Sequence, residues 1–115
     1  MPYPIALFLT LLIGAVIGWF TLTPPGEAGA PLPLTDKQLH ALAFGLMVLP
    51  VALTRPRALY WIAPLALLYG AVIEVIQPSV GRSGEWADLL ADGLGIALVC
   101  GLGALRGRVF KAART

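Results

Sequence analysis

The chain has 115 residues, of which 58% are hydrophobic and only 12% are charged. Soluble globular domains carry about 25% charged residues, so this composition excludes a water-soluble globule and predicts an integral membrane protein. The net charge of +2 gives no reason to expect a nucleic-acid partner, and the single cysteine, Cys100, excludes an internal disulfide.

The first predicted span covers residues 4–22 and contains no charged residue. Its Gly14 and Gly18 are spaced so that another helix can approach closely. Residues 28–30 (Ala-Gly-Ala) resemble a signal-peptide cleavage site. However, the amino end has no Lys or Arg, and the apolar run is longer than that of a signal peptide. We therefore expect a retained membrane span.

Three more spans follow, over residues 36–54, 58–77 and 87–105. The second is preceded by Thr35, and Gln38 stands three residues later, which is the pattern of a capping box at a helix start. The third ends before Pro78, and the fourth begins near Trp86. The sequence thus predicts an all-α membrane protein in which one domain forms a bundle of four transmembrane helices.

Basic residues are concentrated between the second and third spans and after the fourth. Six of the eight occur there: Arg55, Arg57, Arg106, Arg108, Lys111 and Arg114. In a four-span topology these two regions lie on the same side of the membrane. The positive-inside rule makes that side cytoplasmic, so we expect both termini in the cytoplasm.

Titratable residues lie near the opposite ends of the last three spans. At about 1.5 Å per residue, His40, Glu74 and Asp92 are each roughly 6–9 Å from the end of their helix. Residues three or four apart share a helix face, which pairs Asp36 with His40, Lys37 with His40, Glu74 with Gln77, and Asp88 with Asp92. Ionisable groups at this depth are costly unless they face one another or water. We predict a shared polar pocket open to the outside.

The order of these residues resembles the VanZ-like family of small bacterial membrane proteins. The pattern is Asp-Lys-x-x-His at the head of one span, Glu-x-x-Gln at the foot of the next, an Arg, and Asp-x-x-x-Asp followed by Gly. It comprises Asp36, Lys37, His40, Glu74, Gln77, Arg82, Asp88, Asp92 and Gly95. The resemblance covers residues 35–103 and implies a cell-envelope protein of the bacterial cytoplasmic (inner) membrane. The family's namesake is associated with low-level teicoplanin resistance.

The main functional hypothesis is an outward pocket that binds or modifies a lipid-linked or headgroup substrate. Its candidate catalytic residues are Glu74, His40 and Asp88, and Glu74 or His40 would act as general base. The candidate ligand-binding residues are Arg82, Lys37, Gln77, Asp36 and Asp92. Arg82 and Lys37 suit a phosphate. The family often carries Asn at the position of Asp92, which implies a hydrogen-bonding role for Asp92.

Three alternatives stay open. The acids and Lys37 or Arg82 would form a structural ion-pair network in a non-catalytic scaffold that contacts partners or forms a homo-oligomer. His40, Glu74, Asp88 and Asp92 also offer nitrogen and oxygen ligands for a divalent ion, but one His and no metal motif make no metal and no cofactor the main expectation. Transport ranks below the pocket and the scaffold hypotheses, since four spans form a narrow bundle. The expected partners are the lipid bilayer and a lipid-linked envelope precursor.

Overall fold

A computed structural model describes residues 1–24, 35–81 and 84–114, with side chains as far as residue 108. Its four long helices are α1 (Tyr3–Leu22), α2 (Asp36–Thr54), α3 (Leu59–Ile76) and α4 (Trp86–Arg114). Short 3-10 helices at Pro56–Ala58 and Gln77–Val80 flank α3. All four helices are long and apolar enough to cross a membrane, which confirms the predicted all-α, multi-pass membrane fold.

The helix bounds follow the predicted spans closely except at the end of α4. This helix continues past the predicted end at residue 105 to Arg114. The prediction placed the end where apolar residues give way to Arg and Lys, but those residues are good helix formers and do not stop a helix. The predicted cleavage-like site at residues 28–30 and the candidate ligand residue Arg82 lie outside the described residues.

The predicted capping box fixes the start of α2. The Gln38 amide donates to Thr35 Oγ1 at 3.2 Å, and the Thr35 amide donates to Gln38 Oε1 at 3.0 Å. Both bonds satisfy amides that a helix start leaves without partners. They also fix the helical phase from which Lys37 and His40 project.

Thr35→Ala is expected to destabilise the protein by about 1 kcal/mol, the usual contribution of such a cap. The free energy of unfolding in detergent micelles measures the change. Thr35→Ser, which keeps the hydroxyl, should stay close to wild type. Equal losses in both variants would contradict the capping role.

Helices α2 and α4 pack with their backbones almost in contact. A Cβ atom at Gly95 would lie 2.0 Å from the carbonyl oxygen of Ala41, and one at Gly45 would lie 3.3 Å from the carbonyl oxygen of Gly95. Small residues allow this approach between membrane helices. The crossing lies next to His40 in sequence on α2 and one turn after Asp92 on α4, so it sets the distance between them.

Helix α1 packs through the two glycines identified in the sequence. The Tyr69 hydroxyl of α3 donates to the Gly14 carbonyl at 2.5 Å, and a Cβ atom at Gly18 would lie 2.5 Å from that hydroxyl oxygen. The atoms closest to both glycines belong to the side chains of Tyr69 and Met47, so the glycines make room for side chains of α3 and α2. The apolar core is centred on α2, where Phe44, Val48 and Val51 are completely buried.

The outer surface of the bundle is strongly apolar. Helix α4 exposes a row of leucines along one side: Leu90, Leu94, Leu98, Leu102 and Leu105. Large exposed apolar faces are unfavourable in water but suit contact with lipid chains. The bilayer is therefore the natural surrounding of this surface.

Candidate functional site

Four titratable side chains meet inside the bundle at the end where α2 and α4 begin and α3 ends. This polar cluster consists of His40 from α2, Glu74 from α3, and Asp88 and Asp92 from α4. No member is more than 9% exposed, and Asp92 is completely buried. The structure therefore brings together the three candidate catalytic residues and the candidate ligand residue Asp92.

The His40 imidazole lies between the two aspartates of α4. Its Nδ1 is 2.7 Å from Asp92 Oδ1, a hydrogen-bond distance, whereas its Nε2 is 3.8 Å from Asp88 Oδ2, which is too long for a hydrogen bond. Phe44, one turn further along α2, stacks on the imidazole with the rings 6.4 Å apart and nearly parallel. The hydrogen bond and the stacking together fix the ring plane of His40.

Glu74 connects the end of α3 to the start of α4. Its Oε2 accepts a 2.9 Å hydrogen bond from the backbone amide of Glu85, the residue immediately before α4. The Glu85 carbonyl in turn accepts from the Asp88 amide at 2.9 Å. A carboxylate at a helix start is favoured by the positive end of the helix dipole. This bond holds Asp88 and Glu74 in a fixed relation.

Several acceptor atoms of the polar cluster have no hydrogen-bond partner among the described residues. They are Glu74 Oε1, Asp92 Oδ2 and Asp88 Oδ1, all buried, and of the three Asp88 Oδ1 still forms an ion pair with Lys37 Nζ at 3.5 Å. Asp92 Oδ2 points at α3, where a Cβ atom on Gly70 would lie only 2.6 Å away. Buried polar atoms in native proteins nearly always have partners. The polar cluster thus has more acceptors than the described donors satisfy.

Three members of the polar cluster lie close enough together to hold one metal ion. One ligand atom from each of His40, Glu74 and Asp92 can be chosen so that all three lie within 4.8 Å of one another. These are three of the four residues that the sequence suggested as a nitrogen and oxygen ligand set. Imidazole with carboxylates is a donor set that divalent transition metals accept.

The other described candidate ligand residues, Lys37, Gln77 and Asp36, differ in exposure and in their bonding partners. Lys37 is half exposed, with its Nζ 3.0 Å from Glu85 Oε2 and 3.5 Å from Asp88 Oδ1. The Gln77 side chain is buried and donates to the Thr21 carbonyl of α1 at 3.2 Å. The Asp36 side chain is exposed and makes no hydrogen bond or ion pair within the described part of the chain. Of these three described side chains, Lys37 forms an ion pair with the polar cluster.

Sequence reasoning missed two contributors to the polar cluster. Gly70 provides the close wall against Asp92, and the Glu85 amide binds Glu74. Gly70 stands four residues before Glu74 and so shares its helix face, a spacing that was available as a signal. No sequence pattern predicts that the Glu85 amide binds Glu74, because this contact depends on the path of the chain between α3 and α4.

The residues that carry the resemblance to the VanZ-like family largely come together in space. Four of them form the polar cluster, Lys37 contacts it, and Gly95 forms the α2–α4 crossing beside it. Comparison of the chain with protein-family models, with curated proteins and with solved structures gives no match. Membership in that family is therefore a proposal.

Proposed function

We propose that this chain is a VanZ-like protein of the bacterial cytoplasmic membrane that serves the cell envelope. Its polar cluster would face outward and bind or modify the polar headgroup of a lipid or of a lipid-linked envelope precursor. The residues of the VanZ-like pattern and their grouping at one end of four membrane-spanning helices support this proposal.

The outward orientation is supported by the charges at the two ends of the bundle. Arg55, Arg57, Arg106 and Arg108 lie at or near the cytoplasmic end expected from the positive-inside rule. The polar cluster lies at the other end, where α2 and α4 begin. A site at that depth meets the headgroup layer of the outer leaflet.

The observation that favours a ligand site is the set of buried oxygens without described partners. A network that only locks helices together is expected to satisfy its buried groups, because each unsatisfied group costs free energy. Here Glu74 and Asp92 each have one such oxygen. Active and binding sites commonly retain such destabilising groups because a ligand uses them.

The described contacts support a division of the chemical roles among the residues. His40 is oriented by Asp92, so its Nε2 and the carboxylate of Asp88 are the pair positioned to exchange a proton with a bound headgroup. Glu74 retains one uncommitted oxygen for the same purpose. Lys37 already pairs with Glu85 and Asp88, so it assists at the rim of the polar cluster.

The envelope role can be tested by antibiotic susceptibility in a Gram-positive host, where no outer membrane excludes glycopeptides. We expect the wild-type protein to raise the teicoplanin concentration that stops growth, and the double variant Glu74→Gln, Asp88→Asn to lose this effect at equal expression. Glu85→Gln is the matched control, since it removes a half-exposed carboxylate at the same end of the bundle.

Two results would contradict this expectation. If wild type and double variant give equal tolerance above the empty vector, the polar cluster does not carry the effect. If neither changes tolerance, the glycopeptide link fails for this chain. Mass spectrometry of lipids that co-purify with wild type, but not with the double variant, then tests headgroup binding directly.

A structural scaffold is the second candidate, and the Lys37 contacts favour it. Lys37 on α2 reaches Glu85 and Asp88 at the start of α4, which ties two helices together. The variant Glu74→Asp distinguishes a scaffold from a headgroup site. A scaffold tolerates the shorter carboxylate because the charge is kept, whereas a positioned reactive group loses most of its function when displaced by about 1 Å.

A further inference from the structure

We infer that the polar cluster binds one divalent transition-metal ion through His40, Glu74 and Asp92. This inference depends on the proposed function, because it identifies what occupies the same site. The three residues come from three different helices, α2, α3 and α4. A bound ion would therefore also hold the outer end of the bundle together.

The charges of the polar cluster favour a cation. Glu74, Asp88 and Asp92 bring three carboxylates to one imidazole in a space from which water is largely excluded. Uncompensated charge in such surroundings is unfavourable, and buried charges are normally paired or coordinate metals. Lys37 is the only described cation paired with a carboxylate of the cluster apart from His40, and it is half exposed at the rim.

Two carboxylate oxygens are free to become ligands. Glu74 uses Oε2 for the Glu85 amide, and Asp92 uses Oδ1 for His40, which leaves Glu74 Oε1 and Asp92 Oδ2 without hydrogen-bond partners among the described residues. Both side chains are at most 3% exposed. Asp92 Oδ2 points toward Gly70, one turn before Glu74 on α3. The two unpartnered oxygens indicate a bound ligand independently of the number of acidic residues in the polar cluster.

The distances match a site that contracts when an ion enters. Ligand atoms of His40, Glu74 and Asp92 lie within 4.8 Å of one another. Around a tetrahedral ion with bonds of about 2.0–2.1 Å, ligand atoms are roughly 3.3 Å apart. Small side-chain rotations cover this difference. Asp88 Oδ2, 3.8 Å from His40 Nε2, would offer a fourth ligand atom.

The ligand types narrow the choice of ion. Imidazole nitrogen suits Zn²⁺ and Fe²⁺, whereas carboxylate oxygen suits Mn²⁺ and Mg²⁺, so the mixed set is best matched by Mn²⁺ or Zn²⁺. A divalent ion here would offset most of the negative charge of the cluster, and an open coordination position on it would accept a phosphate oxygen of a headgroup.

The test uses the full chain in lipid nanodiscs, stripped with EDTA and titrated with Mn²⁺ or Zn²⁺ alone. Mn²⁺ binding is measured by electron paramagnetic resonance, and bound Zn²⁺ by elemental analysis. We expect one ion per chain and at least tenfold weaker binding for Glu74→Gln and for Asp92→Asn. Glu85→Gln, which makes the same charge change outside the ligand set, should bind like wild type.

The unfolding temperature of the wild-type protein provides a readout that does not depend on any variant folding well. An ion that binds only the folded state raises this temperature with the logarithm of its concentration, once that concentration exceeds the dissociation constant. The inference is overturned if neither ion binds wild type saturably, or if the Glu74 and Asp92 variants bind as tightly as Glu85→Gln. If no metal binds but the teicoplanin effect is intact, the metal inference fails and the proposed function stands. Metal binding without any envelope effect rejects only the proposed function.

Discussion

Gly95→Ala is expected to force α2 and α4 apart and to destabilise the bundle by about 1–3 kcal/mol, the usual cost of overpacking. The added Cβ atom would lie 2.0 Å from the Ala41 carbonyl oxygen and 2.8 Å from its carbonyl carbon. Both are backbone atoms, so no side-chain rotation relieves the clash. Separation of the helices would also lengthen the contact between His40 and Asp92.

Gly101→Ala is the matched control on the same helix. A Cβ atom at Gly101 meets nothing within 4 Å, and alanine is the better helix former by about 1 kcal/mol. This variant should be as stable as wild type or slightly more so. Thermal unfolding in identical micelles measures both. Similar behaviour of the two variants would contradict the close α2–α4 crossing.

His40→Leu is expected to destabilise the protein by about 3–5 kcal/mol, because removal of one partner leaves a buried charge uncompensated. Asp92 is completely buried and loses its 2.7 Å hydrogen bond to Nδ1, and Asp88 loses the nearby Nε2. The stacking of His40 on Phe44 is also lost. The free energy of unfolding in micelles is the measurement.

The double variant His40→Leu, Asp92→Leu tests the cause of that loss. Leucine has the same branching as aspartate, and replacing both partners of a buried pair by apolar groups is often close to neutral. The second substitution should therefore restore much of the stability lost in the first. If the double variant is less stable than His40→Leu, the His40–Asp92 bond is not the source of the lost stability.

Local features of the fold were predictable from short stretches of sequence. The Thr35 cap and the start of α2 follow from rules that involve only neighbouring residues. The spans follow from runs of apolar residues whose length matches the membrane. The helix α4 continues beyond the predicted span, because the end of an apolar run is not a helix stop. Its residues after 105 mix Arg and Lys with apolar residues and are still helical.

The membership of the polar cluster was predictable, but its internal geometry was not. Alternating helix directions place His40, Glu74 and Asp92 at one end and at similar depth, whatever the details of packing. Asp92 is completely buried and hydrogen-bonds to Nδ1 of His40. Both features depend on the distance at which α2 and α4 cross. That distance is set by Gly95 against Ala41, a contact between residues far apart in sequence.

The most direct test asks whether the polar cluster is built to hold a ligand or to lock the helices. The measurement is the free energy of unfolding of Glu74→Gln compared with wild type, both treated with EDTA and freed of bound lipid. Glutamine keeps an oxygen for the Glu85 amide and removes one buried negative charge. A ligand site predicts a variant at least as stable as wild type. A loss of about 1.5–3 kcal/mol, the usual contribution of a hydrogen bond to a charged group, would contradict it.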